Sequence, residues 1–275
     1  MKKFKDKVAF VTGGASGIGR ALCRELARRG AVVIVTDINE QGVIEVASSI
    51  TADGGKAEPF ILDVTRYDDI KKLMDYTISK YNRIDYMFNN AGIAVLGEAR
   101  DVQPDHWRRI IEVNQMGVIY GTMIAYRQMI DQKSGHIINT SSYSGLFGYP
   151  LCVPYSTTKH AVVGLSTSLR LEAAGLGVKV TVLCPGPVQT NIASSATKLV
   201  DESKENFFLN IFTMGMDTIK AAKVILRGVS RNKAIIVFPF HARITWWLYR
   251  IYPGILTLFG RVMTKGFRKF VRANN

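Results

Sequence analysis

The sequence predicts an α/β fold: one doubly wound parallel sheet of about seven strands with helices on both faces, continued by a basic, aromatic, helical C-terminal extension. Three observations predict it. Short apolar runs alternate with helical patterns at a βα pace. A glycine-rich turn joins the first run to the first helical pattern. The composition changes once, near Phe240, and no internal repeat or Pro/Ser-rich linker interrupts the chain before that point. The expected division is a domain over 1–240 and an extension over 241–275.

The strand-like runs lie at 8–11, 32–36, 57–62, 86–89, 136–140, 178–183 and 234–238. Their continuous apolar character predicts strands covered on both faces. Helical patterns fill the gaps, including 20–29 and one long helix over 104–130. The first run leads into Thr12-Gly13-Gly14-Ala15-Ser16-Gly17-Ile18-Gly19. Strand, glycine turn and helix in that order cradle a diphosphate: N–H groups at a helix start face the anion, and glycines let it approach. The second run ends in Asp37, about 20 residues on, where a carboxylate can bind the two ribose hydroxyls of NAD. The chain is expected to bind a dinucleotide.

Glycines at 13, 17 and 19 form the T-G-x-x-x-G-x-G pattern, in which the chain resembles the short-chain dehydrogenase/reductase family from the N-terminus to about residue 195. The resemblance implies a Rossmann-type domain, with Gly13, Ser16, Gly17, Ile18 and Gly19 against the cofactor. It implies that Asp63-Val64, after the third strand, contacts the adenine ring, although Asp63 also suits a turn or an N-cap. It implies that Asn90-Ala91-Gly92, after the fourth strand, packs beside the cofactor. Pro185-Gly186-Pro187-Val188-Gln189-Thr190 breaks the sixth strand. By resemblance, Val188 meets the nicotinamide amide and Thr190 lies near the diphosphate.

Tyr155 and Lys159, four apart, share one helix face. A tyrosine is a poor base near its ordinary pKa of about 10, and a neighbouring ammonium together with the positive nicotinamide of the oxidised cofactor is expected to lower it. The phenol then takes or gives the alcohol proton. The spacing recurs at Tyr67/Lys71 and Tyr76/Lys80, read as solvated helix faces. Ser142, 13 residues before Tyr155, selects the third pair; the adjacent Ser141 is the decoy. The Ser142 hydroxyl would stabilise charge on the substrate oxygen. By resemblance Asn114 completes a tetrad, its backbone holding a water that links Lys159 to solvent, and Lys159 also binds the nicotinamide ribose.

Asp37 repels a 2′-phosphate, and Ser16 and Ile38 are neutral where phosphate-binding cations commonly stand, so NAD(H) is expected over NADP(H). The four histidines are scattered, without metal-ligand spacing, and no metal is expected. A lid over 191–216, with Phe207, Phe208, Leu209, Ile211, Phe212, Met214 and Met216, and a loop with Leu146, Phe147, Tyr149, Leu151 and Cys152 predict a hydrophobic small-molecule substrate. The reaction expected is interconversion of a secondary alcohol and a ketone or aldehyde. The alternatives are a non-catalytic nucleotide-sensing or membrane-associated module, and an epimerase or dehydratase.

The net charge of +14 is unevenly placed: twelve Lys and Arg, and no Asp or Glu, follow Asp217. Ile244 to Tyr252 forms an aromatic amphipathic segment, Pro253-Gly254 breaks it, and Arg261 to Arg272 is basic. Such a tail suits a membrane interface, or a helix pair packed on the domain or a partner subunit, and it could also cover the substrate entrance, linking lipid access to catalysis. Nucleic acid is not expected, because the aromatics sit among bulky aliphatics. The three cysteines form no C-x-x-C pair and suit a reducing compartment, and no apolar stretch is long enough to span a bilayer. The expectation is a cytoplasmic protein, peripheral at the membrane surface. Helices near 104–130 and 154–175 are expected to pair in a homodimer or homotetramer.

Overall fold

β1 (Val8–Thr12) is buried along its whole length and serves two cores. Ala9 and Val11 face one helical layer, whereas Val8 and Phe10 face the other. That two-sided burial makes its sequence continuously apolar instead of alternating. The computed structural model describes residues 3–199 and 215–273. Around β1 lie β2 (Val32–Asp37), β3 (Lys56–Ile61), β4 (Tyr86–Asn89), β6 (Gly135–Thr140), β7 (Val178–Pro185) and β9 (Ile235–Phe238). They form one parallel sheet in the order β3-β2-β1-β4-β6-β7-β9. The strand order reverses between β1 and β4, opening a crevice at their C-terminal ends where ligands of such sheets bind.

One face is covered by α1 (Gly17–Arg28), α2 (Glu40–Ala52) and α7 (Thr218–Ser230). The other is covered by α3 (Tyr67–Tyr81), α5 (Gly117–Asp131) and α6 (Val153–Glu172), with α4 (Pro104–Ile111) packed against α6. Side chains such as Phe10, Leu22, Ile70 and Phe88 are fully buried, each stabilising the fold by about 1.5–3 kcal/mol. A polar ladder crosses this apolar interior. Asn89 donates to Asn139 at 2.8 Å and Thr122 at 3.1 Å, and Asn139 donates to Ser166 at 3.1 Å, joining β4, β6, α5 and α6.

The structure departs from the sequence expectation at three elements. β3 is a sheet edge, with Lys56 and Ile61 exposed, so it is not covered on both faces. The long helix over 104–130 is divided by a π-helical turn, Glu112–Met116, where Gly117 N–H donates to Glu112 O. A small second sheet pairs β5 (Val95–Leu96) with β8 (Thr197–Lys198). Strands this short carry no readable period.

The extension forms α8 (Phe240–Ile251) and α9 (Gly254–Ala273). Both pack inner faces on the domain. Ala242 and Trp246 of α8 join Val162, Val182 and Val237, and Phe147 meets the Tyr249 ring at 5.4 Å. Phe267 of α9 is 3% exposed, and Arg268 donates to Glu98 at 2.6 Å. Among the described residues, no helix is long and apolar enough to cross a membrane.

Candidate active site

The glycine turn after β1 meets the segment after β4 in the crevice. Gly13 has φ +66°, and a Cβ there would stand 2.8 Å from the Ala91 Cα. A Cβ on Gly19 would overlap the Gly13 carbonyl oxygen, so only glycine lets α1 start this close to the turn. Thr12, which the sequence reading passed over, stitches the two segments: its hydroxyl accepts from Asn90 N–H at 2.9 Å and Ala91 N–H at 3.1 Å. Asn90 returns a side-chain bond to the Thr12 carbonyl at 3.1 Å. A hydroxyl closing an otherwise apolar strand was the available signal.

Ser16 is the N-cap residue of α1 but makes no side-chain cap bond. The first-turn N–H groups, including those of Ile18 and Gly19, have no intrahelical partner and suit an anion. Thr190 lies against Gly17, its Cγ2 3.2 Å from where a Cβ would be. Asp37 closes β2 and accepts from Ala15 N–H at 3.2 Å and Asn39 N–H at 3.1 Å. These bonds hold its carboxylate beside the glycine turn. Arg20 lies on α1 and faces Glu45 at 3.5 Å; Ile38 is exposed. Asp63 accepts from Thr65 N–H and hydroxyl at 2.9 and 2.8 Å, a turn that fixes the loop after β3. Val64 is buried against Gly117. Gly186 N–H donates to Phe238 O at 2.7 Å, and Pro185 pairs with Phe238 in the sheet. Val188 is buried and bridges Met216. These residues fit a dinucleotide such as NAD(H).

Ser142 and Ser141 have different partners. The Ser141 hydroxyl donates to Lys159 O at 2.7 Å, within the interior. The Ser142 hydroxyl caps a short 3₁₀ turn, Tyr143–Gly145, and lies within hydrogen-bonding reach of the Tyr155 phenol. Lys159 is 2% exposed; its ammonium donates to Thr140 O at 3.0 Å and lies 5.5 Å from the Tyr155 ring centroid. Burial pushes the Tyr155 phenol up to about 12, against the Ser142 hydrogen bond. Burial also pulls Lys159 down to about 8. In the protein alone burial therefore moves the phenol opposite to the lowering expected from the ammonium, and the opposing contribution comes from Ser142.

Asn114 is fully buried in the π turn. Its amide exchanges bonds with Ile93, accepting from N–H at 2.8 Å and donating to O at 2.9 Å. Gly92 packs between the Asn114 amide and the Lys159 ammonium. A π turn leaves helical carbonyls without their usual partners, so the backbone here is open to further hydrogen bonding. The two decoy pairs lie on the surface of α3, where Lys71 pairs with Asp75 at 2.6 Å and Lys80 with Glu58 at 2.8 Å.

Tyr155 also belongs to an apolar cluster with Leu96, Leu151, Cys152, Tyr149 and Ile192, completed from α9 by Met263 and Phe267. Phe147 is buried instead against Tyr143, and Leu146 packs with Val162 and Trp246. Of the expected lid, 200–214 lies outside the described residues, including Phe207, Phe208, Leu209, Ile211, Phe212 and Met214. Met263 and Phe267 were not foreseen as site residues; with Phe259, Phe267 and Phe270 spread along a basic helix, the sequence gives no sign of which one turns inward. Glu98 anchors this end of α9. Burial alone would raise its carboxyl, but Arg268 and Arg100 hold it below the usual carboxylate range. Among the described residues, no group of three His, Cys, Asp or Glu could hold a metal. His136 is buried, neutral and bonded to Thr181 at 2.8 Å.

Residues 7–200 match the family model for short chain dehydrogenase. The 3-oxoacyl-[acyl-carrier-protein] reductase FabG of Thermotoga maritima is 34% identical over 203 residues, covering 74% of this chain and 81% of that protein. A putative oxidoreductase of Mycobacterium tuberculosis, SadH, is 32% identical over 275 residues, covering 98% of each, so its likeness includes the extension. A short-chain dehydrogenase/reductase from Burkholderia phymatum, solved in complex with NAD, superposes with a TM-score of 0.85 at 26% identity, covering 93% of this chain and 97% of that one. With its glycine turn, the Asp37 that closes the second strand and its seven-stranded sheet, the chain belongs to the short-chain dehydrogenase family and is an NAD(H)-dependent oxidoreductase.

Proposed function

We propose that the enzyme interconverts a secondary alcohol and a ketone or aldehyde on a hydrophobic small molecule. The observation that carries this reading is the grouping of Tyr155, Ser142 and Lys159 beside an apolar cluster. Gly13, Ser16, Gly17, Ile18, Gly19 and Asp37 hold the adenosine diphosphate end of the cofactor. Asp63 and Val64 flank its adenine; Asn90, Ala91, Gly92, Pro185, Gly186, Val188 and Thr190 flank the remainder. NAD(H), when bound, supplies the hydride acceptor or donor. Tyr155 takes the proton from the alcohol during oxidation and returns it to the carbonyl oxygen during reduction. Ser142 donates to the same oxygen and stabilises charge developing there. Lys159 contributes positive charge that favours the phenolate, and binds the nicotinamide ribose. Asn114 keeps Lys159 connected to solvent through its backbone.

The working unit is 1–240, with 241–275 as an appended helical pair. A homodimer or homotetramer through α5 and α6 is supported by their exposed apolar residues, Met123 and Leu171. A cytoplasmic location with peripheral membrane contact is supported by the basic extension. The catalytic reading is tested by NADH oxidation with a panel of hydrophobic ketones and aldehydes, wild type beside Tyr155→Phe. The expected result is turnover in the wild type, reduced by about 10²–10⁴-fold in the variant with NADH affinity retained. Equal turnover in both proteins would overturn it.

A further inference from the structure

α8 and α9 each have two dissimilar faces. The inner faces are packed, as described above. Outward, α8 exposes Ile244, Trp247, Leu248 and Ile251, at 44%, 63%, 39% and 63%. Their spacing of three and four residues makes one continuous stripe. On α9, Leu258 and Val262 are 68% and 64% exposed, and the same stripe continues into the exposed Lys265 and Lys269. Solvent-facing apolar residues at helical period are unfavourable in water and mark an interaction surface.

The charge around this surface selects its occupant. α8 and α9 carry seven Lys and Arg and no Asp or Glu, and of these Arg268 is turned to Glu98. A second copy of the chain, pairing by a two-fold axis, would press this basic surface on itself. An anionic lipid surface complements it. Trp247 suits the headgroup boundary, and Lys265 and Lys269 lie in line with apolar neighbours, from which lysines reach phosphates while their stems stay in lipid.

We propose that the outward faces of α8 and α9 dock on an anionic phospholipid bilayer, and that apolar substrate passes from that lipid to Tyr155 alongside α9. The second clause rests on the hydrophobic-substrate reading above. It follows from α9 having Phe267 and Met263 in the cluster with Tyr155 while Leu258 and Val262 face outward. Substrate site and lipid are then separated by about one helix diameter, ~10–12 Å. The helices lie on the bilayer and do not cross it.

The full chain is sedimented with vesicles of phosphatidylcholine alone and of phosphatidylcholine with phosphatidylglycerol, beside Trp247→Glu/Ile251→Glu. Wild type is expected on the mixed vesicles, with release by salt, and the variant is expected to bind at least about tenfold more weakly. Turnover of a water-miscible ketone is expected to be equal in both, reporting that the variant is folded. For a ketone that partitions into lipid, KM should fall on mixed vesicles for the wild type only. Absence of vesicle binding overturns the proposal, as does equal binding by wild type and variant. A dimer that the double substitution dissolves overturns it in favour of self-association. An unchanged KM with vesicle binding intact removes substrate delivery alone. Loss of all ketone turnover with binding intact counts against the catalytic reading and not against docking.

Discussion

Tyr155 and Lys159 are opposed in charge chemistry and share one environment. Burial disfavours the ionised form of each, raising the phenol to about 12 and lowering the ammonium to about 8. The pH dependence follows. Reduction needs the phenol protonated and the lysine charged, so kcat/KM for ketone reduction should hold through neutral pH and fall by up to about tenfold per unit above about 8. Oxidation needs the phenolate and should climb as pH rises. Steady-state profiles in both directions test this; a reductive profile flat through pH about 8 would remove Lys159 as the charged partner. These residues were legible because their spacing is a property of the chain. Their pKa values were not, because desolvation depends on what the rest of the fold stacks around them. The choice between Ser141 and Ser142 was likewise a matter of spacing, but only the fold assigns Ser141's hydroxyl to the Lys159 carbonyl.

At the scale of elements, the seven main strands follow the apolar runs closely, since strands buried on two faces announce themselves. β3 reads as apolar yet lies at the sheet edge, because edge position is set by strand order and not by composition. The π turn around Asn114 is invisible to periodicity, which registers a helix on either side of one extra residue. The inward turn of α9 is also hidden: its basic residues dominate the sequence, and the contact of Phe267 with the Tyr155 cluster is made across the whole chain. On the proposed reading, Phe267 borders the substrate and limits its size. Phe267→Ala should raise kcat/KM for bulky ketones relative to small ones by about 10-fold, the effect of a few methylene-sized contacts. Competition between a bulky and a small ketone measures the ratio, and an unchanged ratio would remove α9 from the substrate site.

The whole molecule combines a two-sided sheet with a pair of helices that pack beside Tyr155 and against Glu98. The crevice, where strand order reverses between β1 and β4, is a consequence of topology; alternation predicts the doubly wound sheet but not the strand order within it. The direction in which the extension folds back was not predictable either, since amphipathic helices of this kind can lie on lipid, on protein or on both. The Arg268–Glu98 pair joins residues 170 apart in sequence. A contact of that span forms only after the intervening sheet and helices are in place, and so belongs to the late, downhill part of folding. It should act as a brake on opening and not as an aid to assembly. Glu98→Gln should accelerate unfolding in denaturant while leaving the refolding rate nearly unchanged, as stopped-flow measurements would read. The lifetime of the folded enzyme would then depend on the ion pairs that Glu98 makes with Arg268 and Arg100, independently of how quickly the sheet is built.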